Sequence, residues 1–227
     1  VAGAPAQTGK LVQQGQKVLV IGGGGKSGLL CLYEAKKRAV VSRRVIDDEI
    51  CNYHFNSQIS DSLTIESKTF DSCIFESIDF SNIKLIDVEL IDVIFINCNL
   101  SNQVFDNKML SRVVFNNCKL VGISFIDTIL HDIEFINCNT KYINLSGSNI
   151  TDFKITDSDF SDSTFNECIL KNVELTNVNF SNTEFLHAPL KNIDFSNCDI
   201  NGITIDKQSL EGIVISKFQA HIIAKMF

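Results

Sequence analysis

The chain has 227 residues, no tryptophan, two prolines and seventeen phenylalanines, and 44% of it is apolar, enough for a substantial core in one or two domains. The longest aliphatic run near the N-terminus, Val18–Ile21, is far shorter than the roughly 20 residues of a membrane-spanning helix and too short for a secretory signal. The net charge of −7 divides into +4 over residues 1–50, −13 over 51–215 and +2 over 216–227. The acidic part is expected to repel nucleic acid and to attract basic surfaces.

The first 50 residues contain one glycine-rich turn. Lys17–Ile21 reads as a strand, Gly22–Gly28 as a turn and Leu29–Arg38 as a helix. The turn satisfies G-x-G-x-x-G, so residues 1–45 resemble the first coenzyme-binding turn of a Rossmann dehydrogenase. A complete site of that kind needs several parallel strands. We therefore interpret residues 1–50 as a foreign or vestigial leader, and we predict no cofactor.

Residues 51–215 repeat with a period of five. From Phe55 to Ile215, 31 of the 33 residues at every fifth position are Phe, Leu or Ile, and the exceptions are Ser60 and Thr140. Fourteen of the seventeen phenylalanines lie at these positions, which we call centres. This period fits neither a helix nor an ordinary strand, and it indicates a repeat architecture.

The neighbouring positions of each pentad predict its geometry. Two residues before the centre lies a small or β-branched "inner" residue, such as Val93 or Ile123. Two residues after it lies a "corner" residue, which is Asn, Asp, Gly or Ser at 27 of 32 places and therefore suits a tight turn. Four corners close a square coil of 20 residues, and about eight coils stack into a column with an unbroken register.

Six of the eight cysteines occupy inner positions, where they are expected to pack as small apolar side chains. They are Cys73, Cys98, Cys118, Cys138, Cys168 and Cys198. No C-x-x-C pair is present, and no nucleophile has an identifiable base and orienting group. We predict no metal site, no catalytic residue and no enzymatic activity, and a location in the reducing cytoplasm.

The period ends after Ile215. Ser216 is a plausible N-cap, and the apolar residues after it recur with helical spacing, so residues 216–227 are predicted to form an amphipathic helix that caps the column or joins two copies. The surplus of apolar side chains favours a homodimer. The predicted dimer interface comprises Phe218, Ile222, Ile223, Met226 and Phe227.

These features resemble the pentapeptide-repeat family, whose members form right-handed quadrilateral β-helices. The resemblance covers about 165 residues and implies an all-β fold of about eight coils followed by a C-terminal helix. Four segments are similar, more narrowly, to Qnr-type proteins of Gram-positive bacteria: Cys98–Asn102, Phe115–Gly122, His187–Ser196 and Leu210–Ala220. That resemblance implies a homodimer joined at its C-termini that imitates duplex DNA, binds DNA gyrase or topoisomerase IV and protects them from quinolones.

Residues twenty apart stack on the same face, so outward carboxylates can be grouped. Arg112 is the main interruption among them. One face with its corner is expected to carry Asp87, Asp106, Asp127 and Glu167, and the adjoining face Glu89, Asp92, Asp132 and Asp152. These eight residues are the predicted partner-binding surface, although they also suit a merely solvated acidic surface.

A second outward group is aliphatic. It either reflects the preference of β-branched residues for strands or forms a patch that a partner or the N-terminal segment covers. Its members are Ile74, Ile94, Ile96, Val114 and Ile136. We thus predict a DNA-mimicking rod that binds a type II topoisomerase and contacts neither nucleic acid nor membrane. The alternative is an interaction scaffold with another partner.

Overall fold

The structure is a computed structural model, and it describes residues 48–56 and 62–225. The predicted strand–turn–helix unit of residues 1–45 lies outside the described residues. The same holds for the centre residue Ser60 and for Met226 and Phe227 of the predicted dimer interface.

The described chain consists of short strands followed by two short helices near its C-terminal end. The strands are β1 (Glu49–Cys51), β2 (His54–Phe55), β3 (Leu63–Asp71), β4 (Ile74–Glu76), β5 (Ile83–Ile96), β6 (Met109–Asn116), β7 (Ile129–Ile136), β8 (Asn149–Thr156), β9 (Ile169–Thr176), β10 (Glu184–Phe185) and β11 (Thr204–Ile205), and the helices are α1 (Lys207–Leu210) and α2 (Ala220–Ala224).

Each strand from β1 to β8 pairs in parallel with a strand one coil later, at a register of twenty residues, and β10 pairs in the same way with β11. Leu110 lies opposite Leu130, and Phe115 opposite Phe135. The longest sheet runs in the order β1-β3-β5-β6-β7-β8-β9. Isolated bridges such as Asn99 to Lys119 continue the stacking on the other faces. This confirms the predicted right-handed quadrilateral β-helix of about eight coils.

The centre residues fill the interior of the coils. Apart from half-buried residues such as Phe55, Leu170 and Leu175, the described centres are buried. Phe75, Phe95, Phe115 and Phe135 stack in succession, with ring centroids 5.0, 5.2 and 4.9 Å apart. No single coil could bury these rings, so their stacking makes the column one continuous core.

The corners explain the Asn, Asp and Gly pattern. Every residue with positive φ in the described part of the chain occupies a corner position, for example Asn117 at 54° and Asp132 at 56°. Asn and Asp tolerate this left-handed conformation better than most residues, and glycine adopts it freely. Arg112, Tyr142 and Glu167 adopt it as well, because the stacked coils on either side fix the turn.

The inner positions behave as the sequence predicts. All six inner cysteines are buried free thiols. Burial raises the pKa of Cys73 to about 11 and that of Cys168 to about 12, so both remain protonated at neutral pH. Gln103 is one of the inner residues that are neither small nor β-branched. Its buried amide nitrogen donates to the carbonyls of Phe80 and Ile83 at 3.1 and 2.7 Å, which satisfies a polar group inside the column.

Near Pro189 two neighbouring faces of the column lose their hydrogen bonds between successive coils. The sequence predicts an unbroken register there, so this is a departure from the prediction. Residues 187–197 remain packed on the core, since Phe195 lies 5.5 Å from Phe180 and 5.7 Å from Phe185 between ring centroids. However, β9 pairs only with β8, and within the described chain no backbone hydrogen bond joins residues 169–177 to residues 189–197. Elsewhere the residue at this position donates one coil back, as Ile169 does to the Ser148 carbonyl. Pro189 has no N–H to donate to Cys168.

The C-terminal end differs from the prediction in two ways. First, α1 replaces the corner near residue 207, and Asp206 caps it by accepting from the backbone N–H groups of Gln208 and Ser209. Second, α2 begins at Ala220 after a turn and has five residues, so Ser216 is not its N-cap. Instead the Ser216 N–H donates to the side chain of Gln219 at 2.7 Å, and Gln219 caps two core carbonyls of the last full coil.

Candidate partner-binding surface

The predicted carboxylates surround one face of the column, which we call the Leu110 face. Its centres are Leu90, Leu110, Leu130, Ile150 and Leu170. We call its two edges the Asp127 corner (Asp87, Asn107, Asp127, Gly147 and Glu167) and the Asp132 corner (Asp92, Arg112, Asp132, Asp152 and Asn172).

Three carboxylates on these corners are exposed and carry no hydrogen bond or ion pair within the described chain. They are Asp127, Asp132 and Glu167, at φ values of 52°, 56° and 59°. Because the corner conformation and the packed coils fix their backbone, these charges point outward at defined places. They are the exposed, unpaired carboxylates at the centre of the predicted partner-binding surface.

Asp87 and Asp92 each form an ion pair with a basic side chain. The sequence indicated Arg112 as an interruption of the acidic surface, but it gave no sign of the Lys108 pair. The ammonium of Lys108 bonds Asp87, and Arg112 donates to both oxygens of Asp92 at 2.5 and 2.7 Å. These hydrogen bonds hold the pKa of both carboxyl groups below its usual value, so both stay ionised. The pairs neutralise the charges of Asp87 and Asp92 at this end of the surface.

Asp106 serves the fold. It is half-buried, and its Oδ1 accepts from the Ser124 hydroxyl at 2.6 Å and from the Ile126 N–H at 2.8 Å. Asn166, on the same column, accepts from the Leu186 N–H in the same way. Because the neutral amide of Asn166 makes the same bond, the role of this position is to join two coils and does not require a charge. Asp106 is therefore a poor candidate for partner binding.

Glu89 and Asp152 are exposed but partnered. Glu89 accepts from the Thr69 hydroxyl at 3.3 Å, one coil earlier. Asp152 accepts from the Asn172 amide at 2.9 Å, and its other oxygen lies 3.6 Å from the His131 imidazole. Within the described chain neither forms an ion pair with a lysine or arginine, so both belong to the acidic residues of the Leu110 face.

A further acidic groove lies at the corner diagonally opposite the Asp127 corner. Amide-to-carboxylate bonds join successive coils there, from Asn177 to Asp157 at 2.7 Å and from Asn179 to Asp159 at 3.0 Å. Asn137 and Asp199 also line the groove. The twenty-residue spacing of these side chains is visible in the sequence, although the ladder lies outside the predicted partner-binding surface.

The outward aliphatic group is only partly exposed. Ile94 is exposed, whereas Ile74, Ile96, Val114 and Ile136 are half-buried. Glu134 and Lys154 follow Ile94 and Val114 on the same column and form an ion pair at 3.1 Å. The column of Ile74, Ile94 and Val114 is therefore aliphatic only in the first coils, and Ile136 lies on a different column.

The three described residues of the predicted dimer interface differ in exposure. Ile222 and Ile223 are half-buried and pack against the core of their own chain. Phe218 is 75% exposed, with the Lys217 ammonium 4.9 Å from the centre of its ring. Within the described residues no helix is long and apolar enough to span a membrane.

Comparison with known proteins establishes the family. Residues 88–160 and 156–221, together more than half of the chain, match the profile of the family described as "Pentapeptide repeat region". The chain therefore belongs to the pentapeptide-repeat family.

The chain also matches solved structures, among them QnrB1 and HetL, a pentapeptide-repeat protein. Trypsin-treated QnrB1, a plasmid-mediated fluoroquinolone resistance protein, is 18% identical with a TM-score of 0.43, over 78% of this chain and 94% of that one. HetL, which is involved in heterocyst differentiation regulation in the cyanobacterium Nostoc sp. strain PCC 7120, is 11% identical with a TM-score of 0.40, over 85% of this chain and 98% of that one.

A short stretch of the chain is similar to an enzyme. Over 46 residues it is 61% identical to L-erythro-3,5-diaminohexanoate dehydrogenase of Acetoanaerobium sticklandii and 56% identical to that of Fusobacterium nucleatum. The stretch is 20% of this chain and spans only 13% of the length of either dehydrogenase.

Proposed function

We propose that this protein is a non-enzymatic, DNA-mimicking rod that binds DNA gyrase or topoisomerase IV and reduces their poisoning by quinolones. The observation that carries the proposal is the placement of Asp127, Asp132 and Glu167. They are exposed, their carboxylates form no hydrogen bond or ion pair within the described chain, and they lie on rigid corners of one face. Duplex DNA likewise presents fixed negative charges to the proteins that bind it.

The resemblance of four segments to Qnr-type proteins selects the partner. Two of them, Cys98–Asn102 and Phe115–Gly122, belong to coils that also build the acidic corners. In this role the protein acts in the cytoplasm. Its repeat region carries a charge of −13, which repels nucleic acid and anionic membrane, so we propose that it binds neither.

The experiment is a supercoiling assay with purified gyrase and a quinolone. The protein should restore supercoiling or reduce cleaved DNA at micromolar concentration, and the effect should weaken as salt rises, because the contacts are electrostatic. No effect on gyrase or topoisomerase IV at low salt would contradict the proposal.

A second candidate function is an interaction scaffold for a different basic protein. The ion pairs of Asp87 with Lys108 and of Asp92 with Arg112 favour it, because they shorten the acidic row relative to a DNA duplex. A pull-down with the gyrase and topoisomerase IV subunits distinguishes the two, since only the first candidate requires them to be retained.

We also propose that the C-terminal ends of two copies associate. The exposed ring of Phe218 supports this, because an aromatic side chain that is 75% exposed beside a column end is a typical interface residue. Sedimentation should give a dimer, and Phe218→Ser should shift it toward the monomer, while the exposed control Val104→Ser should not. A monomeric wild-type protein at tens of micromolar would refute this.

A further inference from the structure

The Leu110 face carries an exposed apolar row between its two acidic corners. Met109, Ile129 and Ile169 are 58%, 50% and 51% exposed. Met109 lies opposite Ile129, and Asn149 separates Ile129 from Ile169 in the register of β6 to β9. The three side chains therefore stack along the column on one side of the face.

The charged corners lie directly beside this row. Ile129 stands between Asp127 and Asp132 on a single coil, with one residue separating it from Asp127 and two separating it from Asp132. Ile169 lies two residues after Glu167, and Asp152 lies on the coil between those of Ile129 and Ile169. The face is thus an apolar strip with carboxylates along both edges. Its backbone is held by seven paired residues on each side of β7 and β8.

A DNA substitute needs only the charges. Duplex DNA offers its binders phosphates, and a row of exposed aliphatic side chains adds nothing to that imitation. Large exposed apolar side chains in a rigid row instead indicate contact with protein.

The charges also select among possible occupants of the face. A second copy would bring another acidic face against this one, and an anionic lipid surface or a nucleic acid would be repelled as well. Complementarity requires positive charge on both sides of an apolar ridge.

We propose that the Leu110 face binds a cationic amphipathic protein segment, whose apolar side chains cover Ile129 and Ile169 while its lysines or arginines reach the Asp127 and Asp132 corners. This deepens the proposed function, on which it rests for the identity of the natural partner. The apolar contact gives a component of binding that salt does not weaken.

The direct test uses two synthetic ten-residue peptides, one alternating lysine with leucine and one alternating lysine with serine. The leucine peptide should bind the full chain about tenfold more tightly, because it alone buries apolar surface. Its titration should shift the NMR methyl signals of Met109, Ile129 and Ile169. The methyl signals of Val104, which is exposed on a neighbouring face, should stay in place.

The matched variants are Ile129→Ser with Ile169→Ser, and Val104→Ser as the control. The double variant should lose most of the preference for the leucine peptide and keep its affinity for the serine peptide, whereas the control should behave as the wild type. Equal affinity for both peptides, or shifts only at Val104, would overturn the proposal. So would binding to phosphatidylglycerol vesicles, or methyl shifts that depend on protein concentration alone, which would indicate a membrane or a second copy.

A parallel titration with gyrase separates this inference from the proposed function. If the leucine peptide is preferred but gyrase does not bind, the topoisomerase assignment is wrong and the surface assignment stands. If gyrase binds equally well to the wild type and the Ile129→Ser, Ile169→Ser variant, the surface assignment is wrong and the topoisomerase assignment stands.

Discussion

The guanidinium of Arg112 forms a two-point ion pair with the carboxylate of Asp92, one coil earlier on the Asp132 corner. Both residues have positive φ, so the pair is held by two stacked turns. It removes one carboxylate from the surface available to a basic partner.

Replacing Arg112 by asparagine should therefore strengthen binding to a basic partner. Asparagine tolerates the φ of 55° at this corner, and it leaves Asp92 as a free charge. We expect several-fold tighter binding at low salt, declining as salt rises, measured by isothermal titration with gyrase. A Lys119→Asn control on another face makes the same change in net charge. Equal effects of the two variants would mean that net charge alone, and not this corner, matters.

Gly147 should not tolerate a side chain. Its φ is +73°, and a Cβ there would collide with the Asp127 carboxylate. Gly147→Ala is expected to lower the free energy of unfolding by about 1–2 kcal/mol, the usual penalty for a left-handed alanine. Chemical denaturation measures it, and the added replacement Asp127→Ala should recover only the part due to the collision. A Gly147→Ala protein as stable as the wild type would contradict the corner geometry.

The opening at Pro189 should be visible in amide hydrogen exchange. Ile150 and Ile155 are paired with β9, and the Asp157 amide donates to the Thr176 carbonyl at 3.0 Å, whereas the equivalent residues Leu170, Leu175 and Asn177 have no backbone hydrogen bond to residues 189–197 within the described chain. The second group should exchange much faster than the first.

Pro189→Thr supplies the missing donor to the Cys168 carbonyl and should slow exchange in β9. The control Pro5→Thr lies outside the repeats and should leave it unchanged. Equal protection of the two sets of amides in the wild type would show that the coils are joined throughout.

The cap of α1 predicts a dependence of stability on pH. Asp206 accepts from the backbone N–H groups of His187, Ser209 and Gln208, and these bonds hold its pKa far below the usual 3.8. Because the folded state favours the ionised carboxylate, this contribution is complete above about pH 4. It is lost as the pH falls further toward the folded pKa.

Asp206→Asn should remove that contribution at neutral pH and flatten the decline in unfolding free energy below pH 4. Denaturation at a series of pH values measures both effects, with Asp162→Asn as a control at an ordinary corner. Parallel pH profiles for the wild type and Asp206→Asn would contradict the role of this cap.

The repeat could be predicted from the sequence because each pentad repeats one local geometry. Phe95 and Phe115 had to face inward and Asn117 had to turn, and the structure agrees. Which carboxylates form ion pairs and which remain unpaired could not be predicted in the same way. Lys108 occupies an inner position that is usually apolar, so its reach to Asp87 depends on how its side chain leaves the column.

Departures from the repeat were equally hidden in the sequence. The spacing of Leu190 and Leu210 follows the period, yet α1 displaces the last coil and Ser209, not Leu210, is buried there. The C-terminal helix was predicted from the spacing of Phe218 and Ile222, but the capping of core carbonyls by Gln219 delays its start. Both outcomes depend on contacts between distant residues, which periodicity does not encode.

The most direct test of the account neutralises the carboxylates of the Leu110 face together. The variant Asp127→Asn, Asp132→Asn, Asp152→Asn, Glu167→Gln keeps corner geometry and hydrogen bonding while removing four charges. The control Asp157→Asn, Asp159→Asn, Asp162→Asn, Asp199→Asn removes four charges elsewhere on the column. In a gyrase binding titration at low salt, the account predicts at least a tenfold loss for the first variant and little change for the second. Equal loss for both, or none for the first, would contradict it.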